Sequence, residues 1–268
     1  MLLVLLAASI CFAQNGYQKP LIGRQINWGN PLSRGLVAWW VMNEGCGPRV
    51  YDSSGNQNTG TVYYPVWRPR SGRLGYVLGG WDGVGTTYTI IPYKPILEAT
   101  RITVSVWIMG TVAAGEFMLV AKFPDYSSRS WILEVADGIL KLYISSNGST
   151  WDLVSNLGTR LVIDSIWHQC VFTYDQSMAK IYVDGVLNAS GGIAGTIFAG
   201  ANPIEIGSTL GGSYTSSSNY FDHVMIWNRA LSAGEVAQLY LDQFGMFRPS
   251  FDITKMLLPS GQVISINR

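Results

Sequence analysis

Charge is scarce in this chain of 268 residues: only 13% of positions are Asp, Glu, Lys or Arg, and the net charge is +1. Gripping a nucleic-acid backbone takes a basic stripe, and the loose trio Arg68, Arg70 and Arg73 does not make one. Nucleic acid is therefore excluded as an expected partner. Histidine occurs twice and cysteine three times, with no Cys-x-x-Cys pair and no Cys/His cluster, which argues against a zinc site. No Gly-x-Ser-x-Gly elbow accompanies either histidine, so serine-nucleophile chemistry has no support.

No Lys or Arg precedes Lys19. The apolar opening MLLVLLAASICFA is too short to span a bilayer. Residues 1–13 read either as a secretory signal cleaved after Ala13 or as an apolar arm that packs in an assembly. Residues 14–34 are polar and proline-punctuated, a lead-in rather than a core element. If Cys11 leaves with a signal, Cys46 and Cys170 remain. An exported chain with two cysteines invites a disulfide, but Cys170 lies mid-strand and Cys46 in a glycine loop, which favours free, buried thiols.

What the chain has in quantity is apolar and turn-forming residue. Hydrophobic residues make up 48%, enough for a sizeable core, and thirty glycines separate segments rich in tryptophan and tyrosine. Strand patterns recur at short intervals: GLVAWWVM, ITVSVWIM, EFMLVAKF, SWILEVAD, GILKLYIS, WHQCVFTYD, AKIYVDGVLN, NPIEIGS and NYFDHVMIWN. Asp137-Gly138 and Asp184-Gly185 are hairpin signals between neighbouring strands. Residues 63–80 read as irregular. The order of elements predicts an antiparallel all-β sandwich. It closes with one short amphipathic helix, whose start is marked by the Ser232-x-x-Glu235 capping box. Trp107, Trp167 and Trp227 are expected to fill the core or a sheet face. His168 and His223 are each expected to cap a strand or to bond a backbone group.

Four segments in order, GLVAWWVMNEGCG, VYDSSGNQNTGTV, IWHQCVFTYDQSMAKIYVDGVLN and FDHVMIWNRALSAGEVAQLY, resemble the laminin-G-like (LamG) branch of the concanavalin A-like lectin/glucanase superfamily in its bacterial and phage-associated form. The resemblance covers about Gly35 to Tyr240. It implies a jelly-roll sandwich of two antiparallel sheets, one of them concave, with the domain over 35–242 and a tail over 243–268.

The superfamily includes glycoside hydrolases, whose laminarinase-like members carry Glu-x-Asp-x-(x)-Glu on one strand. No strand here has that pattern. The nearest, Glu134-Val-Ala-Asp137, puts its carboxylates on opposite faces and reads as solvated charge. The chain is thus expected not to be an enzyme. The resemblance also implies calcium beside the sandwich. Asp52, Asn56 and Asn58 concentrate oxygen ligands in one loop, and Asp222 begins the closing strand. The alternative is an Asx-rich turn that bonds its own backbone, and both readings stand.

Glycan contact calls for aromatic faces near polar loops; Tyr126, Trp131, Trp151 and Tyr214 are the candidates. The expected function is a non-catalytic, extracellular LamG-type module that binds a glycan or cell-surface polysaccharide in adhesion. The alternative is a structural assembly protein, such as a virion decoration or filament subunit, whose terminal extensions mediate self-assembly.

Overall fold

The computed structural model describes residues 19–69, 75–80, 85–110, 115–155, 158–193, 195–215 and 219–247. The expected signal or arm over 1–13 and most of the tail over 243–268 lie outside these residues.

In chain order the strands begin with β1 (Leu36–Trp40), β2 (Arg49–Val50), β3 (Gly60–Tyr63), β4 (Trp67–Pro69), β5 (Tyr76–Gly79) and β6 (Tyr88–Ile91). The regular middle follows with β7 (Ile102–Gly110), β8 (Glu116–Lys122), β9 (Trp131–Ala136), β10 (Ile139–Ile144), β11 (Leu153–Ser155), β12 (His168–Tyr174), β13 (Met178–Val183) and β14 (Val186–Gly192). The last strands are β15 (Ile204–Ile206), β16 (Ser208–Thr209), β17 (Tyr214–Thr215) and β18 (Asn219–Trp227), and helix α1 (Ala233–Leu241) closes the described fold.

Two eight-stranded antiparallel sheets form the sandwich. The first runs β14-β13-β12-β7-β18-β5-β4 with β1 also paired to β18, and the second runs β11-β10-β9-β8-β15-β6-β3-β2. This is the jelly roll that the resemblance implied. Residues 63–80, expected to be irregular, contribute β4 and β5 at an edge of the first sheet. Strand pairing there overrides a local sequence broken by prolines and arginines.

Local chemistry fixes the tightest turns. Asp137 and Asp184 take φ of 49° and 52°, each followed by a glycine with positive φ, so β9–β10 and β13–β14 are joined by mirror-image turns that match strand twist. Between the sheets, Val104, Val106, Leu133, Val135, Phe172, Ile181 and Ile226 are among the apolar side chains of a continuous core. Each contributes roughly 1.5–3 kcal/mol by leaving water.

A second apolar cluster sits on the outer face of the first sheet. There Trp39, Val171, Tyr182, Met225 and Trp227 meet Val236 and Leu239 of α1, Ile26 and Leu32 of the lead-in, and Met246 and Phe247 beyond the helix. Ser232 and Glu235 make the expected reciprocal capping box. Arg229, then Ser232, holds the Glu235 carboxyl at about 2. Trp227 donates its indole N–H to the Leu32 carbonyl at 2.7 Å, and Trp107 stacks on Tyr240 at 5.7 Å. Trp167 precedes β12 and is only half-buried.

The lead-in is more than a connector. Lys19 is 3% exposed, ion-paired with the fully buried Asp222, and donates to the carbonyls of Val41, Met42 and Tyr76. A lone ammonium could not be buried this way; the carboxylate and three carbonyls compensate it. Residues 26 and 247 form an antiparallel bridge, so the two extensions meet over the same sheet. The cysteines are free, with Cys170 buried as expected, but Cys46 is exposed because its glycine loop lies outside the core.

His168 opens β12, and both histidines meet side chains. His168 bridges Asp184 at 2.8 Å and Asp164 at 3.1 Å, and Arg160 reaches the same Asp184 oxygen at 2.6 Å. Burial opposes the imidazolium, but the two carboxylates outweigh it and raise the His168 pKa. His223 faces Gln243 at 3.2 Å and lies against Phe244.

Candidate functional site

The outer face of the second sheet is built differently. Side chains of alternating parity on β8, β9 and β10 point away from the core: Glu116 and Met118, Ile132 and Glu134, Lys141 and Tyr143. The loop after β8 brings Phe123, Tyr126 and Arg129 to one end of this face, and Trp151 joins them from the loop before β11. Phe123 meets Tyr126 edge-on at 5.4 Å and Trp151 at 5.3 Å, while Tyr143 lies 5.6 Å from Trp151. The Arg129 guanidinium lies 5.4 Å from the Tyr126 ring centre and 5.5 Å from that of Trp151.

These residues enclose a groove of about 240 Å³ with Met118, Ile132 and Glu134 among its lining. Glu134 is not a solvated charge. It is 3% exposed, and its Oε1 is buried with no hydrogen-bond partner. Desolvation raises its pKa to about 7; the Tyr143 hydrogen bond and Lys141 pull the other way, and the Glu116 charge adds to the rise. The loops that carry Phe123, Tyr126 and Trp151 join it in the groove lining, and strand pattern gave no sign of them.

Of the expected ligand contacts, the structure brings Tyr126 and Trp151 together at this groove. Trp131 is a correction. It has the inward parity of Leu133 and Val135, is 2% exposed, and packs on Phe172 in the core, where no ligand reaches it. Tyr214 begins β17, and its side chain lies outside the described residues. Sequence reasoning missed Glu116, Arg129 and Tyr143; the outward parity they share with Ile132, or the loop they share with Tyr126, was the available signal.

The four expected metal ligands do not fit calcium as a set. The Asp52 carboxylate already accepts from the backbone N–H groups of Trp39, Ser54 and Asn58, from the Ser54 hydroxyl and from the Asn58 amide. Asn56 and Asn58 turn their amide donors to the Val37 carbonyl, leaving Asn58 Oδ1 as a buried oxygen without a partner. Asp222 is neutralised by Lys19. Among the described residues, no group of three or more His, Cys, Asp or Glu side chains is placed to hold a metal. The loop acts as an Asx-rich lock that ties β1 to the following turn.

A second, larger groove of about 430 Å³ lies between residues 20–28 and the Asp52 loop. Asp52 there is committed as above, and Glu44 accepts the Tyr51 N–H through Oε1 while its Oε2 is buried without a partner. Burial raises the Glu44 pKa.

Comparison with known proteins agrees with this architecture. A laminin-G model described as the concanavalin A-like lectin/glucanases superfamily matches residues 82–237. The chain belongs to this superfamily. Among solved structures, the lectin-like chain is similar to the binding domain of Paraclostridial Mosquitocidal Protein 1, with TM-score 0.64 and 18% identity over 80% of this chain and 53% of that one. It is also similar to domain 4 of AbnA, an extracellular arabinanase from Geobacillus stearothermophilus solved with arabinotriose, with TM-score 0.61 and 17% identity over 76% of this chain and 98% of that one. The binding domain of botulinum neurotoxin serotype G matches with TM-score 0.59 and 14% identity over 78% and 51% of the two chains. The lectin-like chain thus spans about half the length of the toxin binding domains. At these identities the likeness is one of fold. No curated protein matches. Among the described residues, no helix is long and apolar enough to cross a membrane.

Proposed function

We propose that the chain is a non-catalytic, extracellular carbohydrate-binding module that takes a saccharide in the groove of the second sheet. The observation that carries this reading is the groove itself: an aromatic rim of Tyr126, Tyr143 and Trp151 above a buried carboxyl with an unused oxygen. Apolar sugar faces pack on aromatic rings, and hydroxyls seek buried acceptors. Neighbours of the same fold lend support, since one was solved with arabinotriose and others are toxin binding domains.

The test is calorimetric titration with a panel of oligosaccharides against the wild type, Tyr126→Ala and Trp151→Ala. At least one saccharide is expected to bind the wild type and to weaken roughly tenfold or more with Trp151→Ala. A panel without a binder, from protein migrating as a large assembly, would instead support the structural-scaffold reading. The described parts of both extensions pack on their own sandwich, which favours recognition over that alternative.

One observation favours a hydrolytic reading: Glu116 and Glu134 share the outer face on adjacent strands, and a buried carboxyl at about 7 suits a general acid. Release of reducing sugar that disappears with Glu134→Gln would replace the non-catalytic reading. None is expected.

A further inference from the structure

We infer that the groove of the second sheet selects an amino sugar, holding its ammonium group between Glu134 and Glu116 against the aromatic rim. The inference rests on the carbohydrate reading above and names the class of saccharide.

Three features point to a cation. The groove lining holds two carboxylates, Glu116 and Glu134, and no basic side chain. Glu134 Oε1 is buried and has no donor of its own chain within reach. Phe123, Tyr126, Tyr143 and Trp151 line it, and aromatic rings attract organic cations. The protein already uses two of these rings for that purpose, since Arg129 lies over Tyr126 and Trp151.

Two native cations stand close without meeting the need. Lys141 is paired with Glu134 across the β9–β10 ladder, and Arg129 sits over the rim. Neither lines the groove, and neither reaches Oε1. An ammonium carried by a ligand supplies the missing donor and relieves the repulsion that Glu116 exerts on Glu134. A hard metal ion fits poorly, because it needs a shell of oxygens and most of this lining is aromatic or aliphatic. The sugar ring that carries the amine packs on Trp151 and Tyr126, as the carbohydrate reading requires.

The test compares four probes at pH 7 and moderate salt: a β-1,4-linked glucosamine trimer, its fully N-acetylated counterpart, the neutral glucose trimer, and methylammonium alone. The glucosamine trimer is expected to bind roughly tenfold tighter than either other trimer, a preference that an ion pair and ring contacts suffice to give. In Glu134→Gln the preference should fall to about twofold or less, with Glu116→Gln causing a smaller loss. Thermal melts verify that both variants fold. Equal binding of the three trimers overturns the ammonium assignment and leaves the carbohydrate reading standing. Methylammonium bound as tightly as the trimer overturns the sugar assignment. A preference that survives in folded Glu134→Gln removes Glu134 from the site. If no trimer binds, the carbohydrate reading fails and this inference with it.

Discussion

The two outer faces of the sandwich receive opposite treatment. On the first sheet, α1, the lead-in and residues 244–247 cover Trp39, Trp227 and Tyr182 completely, and the buried Lys19–Asp222 pair ties that cover down. On the second sheet, Met118, Ile132 and Glu134 line a groove bordered by Tyr126, Trp151 and Thr209. The covered face pairs its one buried acid with an ammonium from its own chain. On the open face Glu205 is satisfied by the Ser208 hydroxyl and the Gly211 N–H, whereas Glu134 keeps one oxygen unpartnered. Cover is therefore the clearest difference: one face is sealed by the chain's own extensions, and the other keeps an aromatic-lined groove beside an unpartnered carboxyl oxygen.

The largest test of that contrast is Lys19→Ala. It strands the Asp222 carboxylate in the core and should cost about 3–5 kcal/mol in chemical denaturation, whereas joint replacement of both residues by apolar side chains should recover most of the loss. The matching change on the open face, Tyr126→Ala, removes an exposed ring and should stay within about 0.5 kcal/mol. Comparable losses from Lys19→Ala and Tyr126→Ala would erase the distinction.

Next in size is Glu134→Gln. Because the folded carboxyl has its pKa raised to about 7, the native state binds more protons than the unfolded chain between about 4.3 and 7. Stability from this group therefore falls as pH rises through that window. The variant should be more stable than wild type by about 2 kcal/mol at pH 8 and nearly equal at pH 4, read as melting temperature against pH. A loss of stability at pH 8 would mean that Glu134 is already satisfied within the fold.

His168 supplies a control in a structural cluster: its pH slope has the same sign, but its replacement costs stability instead of adding it. Its raised pKa means that its contribution is fully present below about 6.5 and is lost as pH rises through the folded value. His168→Gln should cost about 1 kcal/mol at pH 6 and less at pH 8. Smallest is calcium. With the Asp52 carboxylate saturated by its own loop, adding calcium should shift the melting temperature by less than about one degree. A shift of several degrees that vanishes with Asp52→Asn would make the loop a cation site.

What could be read from the sequence was what is local. The Ser232/Glu235 box and the Asp-Gly turns are encoded within a few residues, and the structure realises each. Partners remote in the chain left no such trace: Lys19 and Asp222 lie in opposite halves, and strand alternation does not describe the burial of Glu134. Trp131 and Trp151 show both cases. Trp131 shares the parity of Leu133 and Val135, so its inward position was readable. The place of Trp151 beside Tyr126 depends on how two loops converge, and aromatic character near polar residues was the only clue.

The central claim is that the open face, not the covered one, binds the ligand. The most direct measurement is a titration of the best-binding oligosaccharide against Trp151→Ala and Trp28→Ala, the latter in the larger groove beside the lead-in. Binding weakened roughly tenfold or more in Trp151→Ala and unchanged in Trp28→Ala is the predicted result. Binding that survives in Trp151→Ala and is lost in Trp28→Ala would contradict it.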